Sequence, residues 1–475
     1  MTRQKGAEDY LRAIRNGSTL DVGKRLRLVL KLSIPAILSK MTLILMQYID
    51  VSMVGRIGPK ASASVGLSAT TTWLFGGVSS AASIGFSVLA AQYIGARKEA
   101  EAREVLKKSF LAVLVFSFLL TGIGLLIADS LPVWLGGARD ICRDASSYFQ
   151  IYILFLPVVS LNSLGAAMLR NSGNMKVPSV LSVLMCALDV LFNAFLIFPS
   201  HRIILASKVF LIPGAGMGVS GAALGTGLAE SVSAALMLYF LLVRSPSLHL
   251  RKESVRPNIT GCMKKAIQIS LPVCFENMIM SGAMVVATHI VAPLGVTAIA
   301  ANSFAVTAES LCYMPGYGIA DAATVLTGQS MGAGNREMTK SFARMSAKLG
   351  IIIMALAGVF MFITAPVLIG ILTEDRSVRM AAIQVLRIEA FAEPLFGASI
   401  VISGALRGVG DTLIPSIMNF ISMWMVRLPL SYVLAMKYGL RGVWIAMNIE
   451  LCFRGILFLV RLYREHWLHK KEFGG

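Results

Sequence analysis

The chain has 475 residues, of which 56% are hydrophobic and only 15% are charged. Soluble domains carry about 25% charged residues, so the composition excludes a soluble enzyme, a disordered chain and a secreted disulfide scaffold. A formal net charge of +19 could suggest nucleic-acid binding. The basic residues, however, crowd the N-terminal segment, every second loop and the tail, which is typical of a membrane protein. We therefore expect no nucleic-acid partner.

Apolar stretches of about 20 residues, each long enough to cross a bilayer as a helix, recur along the whole chain. We predict twelve spans, and the predicted fold class is therefore an all-α membrane protein. In chain order the spans cover residues 29–54, 63–93, 109–128, 147–169, 178–198, 217–243, 266–292, 298–329, 346–370, 380–406, 415–436 and 440–460.

Basic residues are distributed unevenly between the two sides of the predicted bundle. With both termini on one side, that side holds 30 of the 44 Lys and Arg residues, and the opposite side holds 10. Loops rich in Lys and Arg stay in the cytoplasm. We therefore predict a multi-pass protein of the cell inner membrane, embedded in the lipid bilayer with both termini cytoplasmic. We expect it to be a monomer.

The chain repeats itself with a shift of 237 residues and no gap, so that span 1 falls on span 7. Both copies thus start on the same side of the membrane. The repeat predicts two six-helix lobes related by a pseudo-twofold axis along the membrane normal, an N-lobe (1–250) and a C-lobe (251–475). Two such lobes are typical of transporters. Matched pairs include Pro35 and Pro272, Gln92 and Gln329, Gly95 and Gly332, Pro157 and Pro394, and Arg170 and Arg407.

Acidic residues outnumber basic ones inside the predicted spans. A charge at the bilayer centre costs roughly 2.5–3.5 kcal/mol even on lenient scales, so each acid should face a cavity or a partner. The surplus of acids favours a cationic substrate. The acids are Asp50, Asp189, Glu230, Glu276, Glu309, Asp321, Glu389, Glu393 and Glu450, and the bases that lie more than three residues from a span end are Lys40, Arg387, Arg427 and Arg454.

Four polar residues of the N-lobe are predicted to form one site. Gln47 lies one turn before Asp50 in span 1, and Asp189 and Asn193 lie one turn apart in span 5. With a rise of 1.5 Å per residue, Asp50 and Asn193 sit at a similar depth in the outer half of the lobe. We hypothesise that this group exchanges the coupling ion. A structural network between spans 1 and 5 is the alternative.

The C-lobe has its own candidate residues. Glu276, beside Asn277, lies near mid-membrane, and the repeat places it opposite Ser39, so this acid has no counterpart in the N-lobe. A buried acid that is costly to place in a membrane and has no repeat counterpart suggests a dedicated function. A structural role remains the alternative.

Other buried charges of the C-lobe favour local pairing. Glu450 and Arg454 are four residues apart on one helix, which favours an intrahelical ion pair. A further cluster lies at the start of span 10 and consists of Arg387, Glu389 and Glu393. These residues could form a local network or contribute to a cavity.

Catalytic motifs are absent from the sequence, which contains no H-E-x-x-H, G-x-S-x-G or phosphate-binding P-loop. The glycine run from Gly216 to Gly227 matches G-x-G-x-x-G, but without a βαβ pattern it is better explained by close helix packing. We expect no enzyme and no cofactor. Active transport must then draw on an ion gradient.

Six segments of the chain resemble the multidrug and toxic-compound extrusion (MATE) family. They are Pro35 near the start of span 1, "YIDVSMVGRIG", "AAQYIGA", "LPVCFENMI", "GQSMGAGN" and "ALRGVGDTLIP". The resemblance covers nearly the whole chain. It implies a twelve-helix antiporter that expels small lipophilic or cationic substrates in exchange for H⁺ or Na⁺.

The resemblance also suggests residue roles. Asp50 falls on the first-helix aspartate of the family and Glu276 on its seventh-helix glutamate. Asp189 and Asn193 fall on a fifth-helix polar pair that in some members is Asn then Asp, so the order is reversed here. Sodium-linked members have a tenth-helix aspartate where this chain has Phe396.

The nearest acid to Phe396 is Glu393, about one turn earlier, so the pattern of the sodium-linked members is not matched in the C-lobe. The predicted coupling residues are Gln47, Asp50, Asp189, Asn193 and Glu276, and the predicted substrate-binding residues are Asp50, Glu276, Asn277, Glu393 and Phe396.

Three rival functions remain open at this point. A flippase for a lipid-linked sugar would share the architecture, but it should need a basic cavity, and the buried charges are mostly acidic. An intramembrane enzyme is disfavoured by the missing nucleophile–base pairs, and a channel is disfavoured by the two-lobed repeat.

Overall fold

The computed structural model describes residues 6–205, 208–250 and 261–469. The N-lobe contains α1 Ala7–Arg15, α2 Val22–Gly55, α3 Pro59–Gly95, α4 Glu99–Ile127, α5 Leu131–Trp134, α6 Arg139–Leu154, α7 Leu156–Asn171, α8 Lys176–Ile197, β1 Pro199–Leu205, β2 Lys208–Ala215 and α9 Gly218–Tyr239. The C-lobe contains α10 Cys262–Val291, α11 Val296–Gly332, α12 Arg336–Leu372, α13 Arg376–Glu389, α14 Glu393–Gly408, α15 Leu413–Phe420, α16 Leu428–Tyr438 and α17 Leu440–Arg464. The predicted lobe boundary borders residues 251–260, which lie outside the described residues.

The helices follow the predicted spans closely. Within the described ranges, nine helices are long and apolar enough to cross a membrane, and the bent pair α6–α7 makes a tenth. The two other predicted spans correspond to α11 and to the pair α13–α14. Both carry buried acids, which lower their apolar character. One departure from the all-helical expectation is the antiparallel hairpin of β1 and β2, in the loop predicted between spans 5 and 6.

The fourth span of each lobe is broken at a matched position. In the N-lobe, α6 ends at Leu154 and α7 begins at Leu156, with a bend of 47° between them. In the C-lobe, α13 ends at Glu389 and α14 begins at Glu393. Pro157 and Pro394 each occupy the first turn of the second helix, where a proline is tolerated because its missing N–H needs no partner. The repeated prolines thus mark repeated breaks.

The two lobes are in direct backbone contact where α3 and α11 end. We call this end of the bundle, at which α2 begins, the inner end. A Cβ built on Gly95 would overlap the backbone of Gln329, and a Cβ on Gly332 would overlap the backbone of Gln92. Only glycine allows two helix backbones to approach this closely. The repeat-matched glycines therefore allow a direct backbone contact between the lobes.

Hydrogen bonds across this contact obey the same symmetry. Gln92 Nε2 donates to the carbonyl oxygen of Gly408 at 3.0 Å, and Gln329 Nε2 donates to that of Asn171 at 2.8 Å. Both glutamines are buried, and each reaches into the opposite lobe. Gly408 is the repeat counterpart of Asn171, so the two bonds are related by the predicted pseudo-twofold axis. The inner end is therefore closed in this structure.

A short amphipathic helix, which the sequence did not lead us to predict, covers the inner end. Helix α1 buries Tyr10, Leu11 and Ile14 in a core formed with residues of α2, α11 and α12. Arg15 donates to Gln329 Oε1 at 3.1 Å and to the carbonyl oxygen of Ser172 at 3.2 Å, and so contacts both lobes. The N-terminal segment thus reinforces closure of the inner end.

We predict opposite effects for alanine at two glycines of α3. At Gly95 the new methyl group would overlap the backbone of α11, and such overpacking costs about 1–3 kcal/mol. At Gly66, which is exposed with no atom near its Cβ position, alanine should be neutral or stabilise the helix by about 0.5–1 kcal/mol. Thermal unfolding of the purified protein measures both effects. A Gly95→Ala variant as stable as Gly66→Ala would contradict the close crossing.

Candidate functional site

The N-lobe encloses a cavity of about 520 Å³ between α2, α3, α6, α7 and α9. Asp50 and Gln47 line it from α2, and Glu230 lines it from α9. Tyr148 and Tyr152 contribute aromatic surface from α6. The cavity therefore combines two carboxyl groups with aromatic and apolar walls, a combination suited to a lipophilic cation.

Behind the cavity, one amide joins two carboxyl groups. Asn193 Nδ2 donates to Asp50 Oδ1 at 2.9 Å and to Asp189 Oδ2 at 3.2 Å. Asp189 and Asn193 are fully buried, whereas Asp50 faces the cavity. The structure thus brings together the predicted residues of spans 1 and 5. Buried carboxyl groups this close together need donors, a proton or a cation to offset their repulsion.

Glycines of α9 make room for this group. The Cβ position of Gly225 overlaps the side chain of Asn193, and that of Gly227 overlaps the ring of Phe155. Gly221 lies against the backbone of Leu196 in α8. Close helix packing, predicted for this glycine run, is therefore confirmed. The glycines allow α9 to approach α8 closely enough to hold the Asn193 side chain in place.

Glu230 was counted among the buried acids but not assigned to the site. Its carboxylate accepts a hydrogen bond of 2.6 Å from Asn162 Nδ2 and lines the cavity opposite α2. The position of Glu230 along its span could have predicted its depth, near mid-membrane. The rotation of α9 about its own axis, which the sequence does not specify, decides that it faces the cavity.

Glu276 is held by three neighbours in the C-lobe. Its carboxylate accepts hydrogen bonds of 2.7 Å from both Ser416 and Asn419, and it forms an ion pair with Arg407 at 3.4 Å. Its residue surface is only 9% exposed, and it does not line the N-lobe cavity. The structure therefore does not bring Glu276 together with Asp50.

Asn277 contacts the opposite lobe rather than the N-lobe cavity. Its Nδ2 donates to the carbonyl oxygen of Gly77 in α3 at 2.8 Å. This bond joins α10 to α3 across the lobe interface, and Asn277 does not line the N-lobe cavity. Its predicted role in substrate binding stays a prediction.

Glu393 and Phe396 lie together in the core of the C-lobe. Glu393 is fully buried, and its carboxyl oxygens have no hydrogen-bond partner among the described residues. The ring of Phe396 packs edge-on against Tyr313 at 5.7 Å, and the Arg454 guanidinium lies 5.3 Å from its centre. Neither residue lines the N-lobe cavity, so their predicted contact with substrate stays a prediction.

The remaining predicted ion pairs were partly right. Arg454 Nε lies 3.0 Å from Glu450 Oε1, which confirms the intrahelical pair. The proposed cluster at the start of span 10 was wrong for Arg387. Its Nε donates to the carbonyl oxygen of Phe362, and its guanidinium lies over the Phe362 ring. Arg387 thus points away from the buried acids.

A second cavity of about 440 Å³ lies between the lobes, closer to the inner end. Lys40 and Arg170 line it from the N-lobe, and Asp321 and Arg407 line it from the C-lobe. We call it the central cavity. Arg170 and Arg407 were predicted to lie in loops just beyond spans 4 and 10. Helices α7 and α14 instead extend past them and turn both side chains inward.

Comparison with known proteins points to one family. The family model described as MatE matches residues 35–195 and 272–433, so its two copies begin at the repeat-matched Pro35 and Pro272. A probable multidrug resistance protein NorM of Thermotoga maritima is 28% identical over 441 residues, covering 92% of each chain. An uncharacterized transporter, YisQ of Bacillus subtilis, is 24% identical over 89% of this chain and 90% of its own.

Two solved structures share the fold. One is a MATE in complex with MaL6, with a TM-score of 0.86 and 23% identity. The other is an outward-facing multidrug resistance MATE family transporter of the MOP superfamily, with a TM-score of 0.86 and 22% identity. Each alignment covers 99% of this chain and 100% of the other. The predicted fold class, an all-α membrane protein with twelve helices in two lobes, is confirmed.

We predict that Gly225→Ala and Asn193→Ala share a phenotype, because the first displaces the amide that the second removes. Each change should weaken binding of a fluorescent cation such as ethidium by about tenfold, since Asp50 loses its donor. Fluorescence polarisation with the purified protein measures this affinity. Gly122→Ala, in α4 with open space at its Cβ position, serves as the control. Unchanged affinity in Gly225→Ala would contradict the assigned packing.

Proposed function

The chain belongs to the MatE family of membrane transporters, and from this premise we propose that it is a multidrug efflux antiporter. It exports lipophilic organic cations in exchange for H⁺ or Na⁺ by alternating access. It acts in the cell inner membrane with both termini in the cytoplasm. The observation that carries the proposal is Asp50, a carboxyl group that faces a cavity and is joined through Asn193 to the buried Asp189.

Exchange follows from competition for Asp50. A lipophilic cation in the cavity is stabilised by the carboxylates of Asp50 and Glu230 and by the rings of Tyr148 and Tyr152. A proton or sodium ion that occupies the Asp50 group removes the negative charge available to the cation. Antiport requires only that the two ligands bind this site less well together than apart.

Besides competition for Asp50, the proposed transport cycle depends on the closed inner end. In this structure the lobes are joined at Gly95 and Gly332, so an inward-facing state requires that this crossing opens. The bonds from Gln92 and Gln329 to the opposite lobe would break in that step. Substrate would enter from the cytoplasm while the crossing is open and leave outward after it has closed.

The proposed role of Glu276 differs from that of Asp50. Its bonds to Arg407, Ser416 and Asn419 hold α10 against α14 and α15. It can bind a cation only in a state in which Arg407 releases it. Its coupling role therefore depends on a rearrangement of the C-lobe, whereas Asp50 already faces a cavity.

A second candidate function is supported by the central cavity. Three basic side chains line that cavity, which is the feature that a flippase for a lipid-linked sugar phosphate should require. Asp321, which lies between two of the bases, weakens this case because it offsets part of their charge. Complementation of a bacterial strain that lacks its cell-wall precursor flippase separates the two functions.

We predict that Asp50→Asn lowers efflux of a fluorescent cation by more than about tenfold, because the variant keeps the shape of the side chain but cannot carry the charge. Uptake into everted membrane vesicles is the measurement. Asp144→Asn, at an exposed position of α6, serves as the matched control. Full transport by Asp50→Asn would contradict the carboxylate mechanism.

The coupling ion is identified by imposing one gradient at a time on proteoliposomes. We expect either a pH difference or a sodium difference alone to drive accumulation of the cation, and Asp50→Asn to abolish the response to that gradient. Accumulation that neither gradient drives would contradict antiport. Accumulation above equilibrium also excludes a channel, because a channel cannot move a solute against its gradient.

A further inference from the structure

The central cavity and the N-lobe cavity differ in polarity. The N-lobe cavity is lined by the acids Asp50 and Glu230, and no basic residue of the described ranges lines it. The central cavity is lined by Lys40, Arg170 and Arg407. Among the residues that the structure describes, the acids on its wall are Asp321 and Glu230. Positive charge therefore exceeds negative charge in the central cavity.

The basic side chains of the central cavity have unused hydrogen-bonding capacity. Asp321 Oδ2 lies 3.5 Å from Lys40 Nζ and 3.7 Å from Arg170 Nε. Both distances exceed the 2.7–2.9 Å that is usual for a charge-assisted hydrogen bond. The side chains of Lys40 and Arg170 remain 27% and 23% exposed, and among the described residues Asp321 is their only charged partner. Several of their N–H groups thus have no acceptor within the part of the chain that the structure describes.

The two arginines approach the cavity from opposite lobes. Arg170 near the end of α7 and Arg407 near the end of α14 are repeat counterparts, so the pseudo-twofold axis relates them. A guanidinium group presents a planar set of donors that matches the oxygens of a carboxylate or a phosphate. Arg407 makes one contact of 3.4 Å with Glu276 and is 27% exposed. The pair is therefore placed to hold an anionic group between the lobes.

The two cavities adjoin, because Glu230 and Ser80 line both of them. Lys40 and Asp50 lie on the same helix, ten residues and about 15 Å apart. We propose that Lys40, Arg170 and Arg407 form a binding subsite for a carboxylate or phosphate group. Its ligand is an amphiphile of mixed charge whose positive group lies in the N-lobe cavity. This inference rests on the proposed export of cations and extends it to zwitterions.

A structural explanation competes with this one. Lys40 and Arg170 belong to the N-lobe and Asp321 to the C-lobe, so the same contacts could serve only to hold the lobes together. In that case removal of one base would affect all ligands equally. In a true subsite, removal would affect only ligands that carry the negative group.

The test uses two dyes that differ in one group. Tetramethylrhodamine carries a free carboxylate and is zwitterionic, whereas its methyl ester is purely cationic. We expect Lys40→Gln and Arg170→Gln each to weaken binding of the free acid by about tenfold in the purified full-length protein. Binding of the ester should stay the same or become tighter, because a repelling charge is lost. Lys40→Arg should restore binding of the acid.

The controls distinguish loss of the subsite from misfolding of the variant and from failure of the proposed cation export. Arg387→Gln removes a cation that lies against Phe362, away from the central cavity, and should change neither affinity. Equal losses for both dyes, or no loss for either, would overturn the subsite. Binding of the ester alone by the wild type would overturn the subsite while leaving cation export intact. Failure of the wild type to bind either dye would overturn cation export itself.

The same anionic chemistry could come from a phospholipid headgroup. Binding of the acid is therefore compared in nanodiscs of phosphatidylcholine and in nanodiscs that also contain phosphatidic acid. If phosphatidic acid competes with the free-acid dye, and Lys40→Gln and Arg170→Gln abolish this competition, the subsite is supported and its anionic ligand is a lipid headgroup. Binding of the acid that phosphatidic acid does not affect would support the subsite with a soluble ligand.

Discussion

The direct contact of two helix backbones, where α3 crosses α11, is the constraint on which the rest of the structure depends. Because Gly95 and Gly332 place no side chain between the helices, the lobes come close enough for Gln92 and Gln329 to reach backbone carbonyls across the interface. The crossing fixes the inner end and leaves the cavities above it. A state in which the inner end is open requires that these glycines separate, as well as Gly85 of α3 from the backbone of Ala266 in α10.

The two lobes use buried charge differently. In the N-lobe, Asp50 faces a cavity, and the fully buried Asp189 shares one amide donor with it. In the C-lobe, Glu276 and Glu450 are paired with arginines, whereas Glu393 is buried with no hydrogen-bond partner among the described residues. A carboxyl group beside open space can exchange one cation for another, whereas a carboxyl group fixed by an arginine stabilises a helix contact. Asp50 therefore has beside it the open space that the proposed exchange requires, whereas Glu276 does not line that cavity.

The sequence predicted well how deep the polar residues lie in the membrane and how the two lobes are related by symmetry. It did not predict how each helix is rotated about its own axis. Apolar length located the spans, and the repeat paired Gln92 with Gln329. Equal depth correctly grouped Asp50 with Asn193. The partner of Glu276 was missed because Arg407 lies in another helix, whose orientation depends on tertiary packing. Arg170 was missed because a span boundary set one residue too early placed it in a loop, and its long side chain reaches back into the cavity.

The lack of counterparts for the N-lobe acids has a historical implication. A shift of 237 residues carries Asp50 onto Ala287 and Asp189 onto Val426, whereas the glycines of the crossing are carried onto each other. An ancestral half-length chain that paired with itself would have presented two identical halves. In the fused chain the two halves differ: the glycines of the crossing recur in both, whereas Asp50 and Asp189 stand in the N-lobe alone.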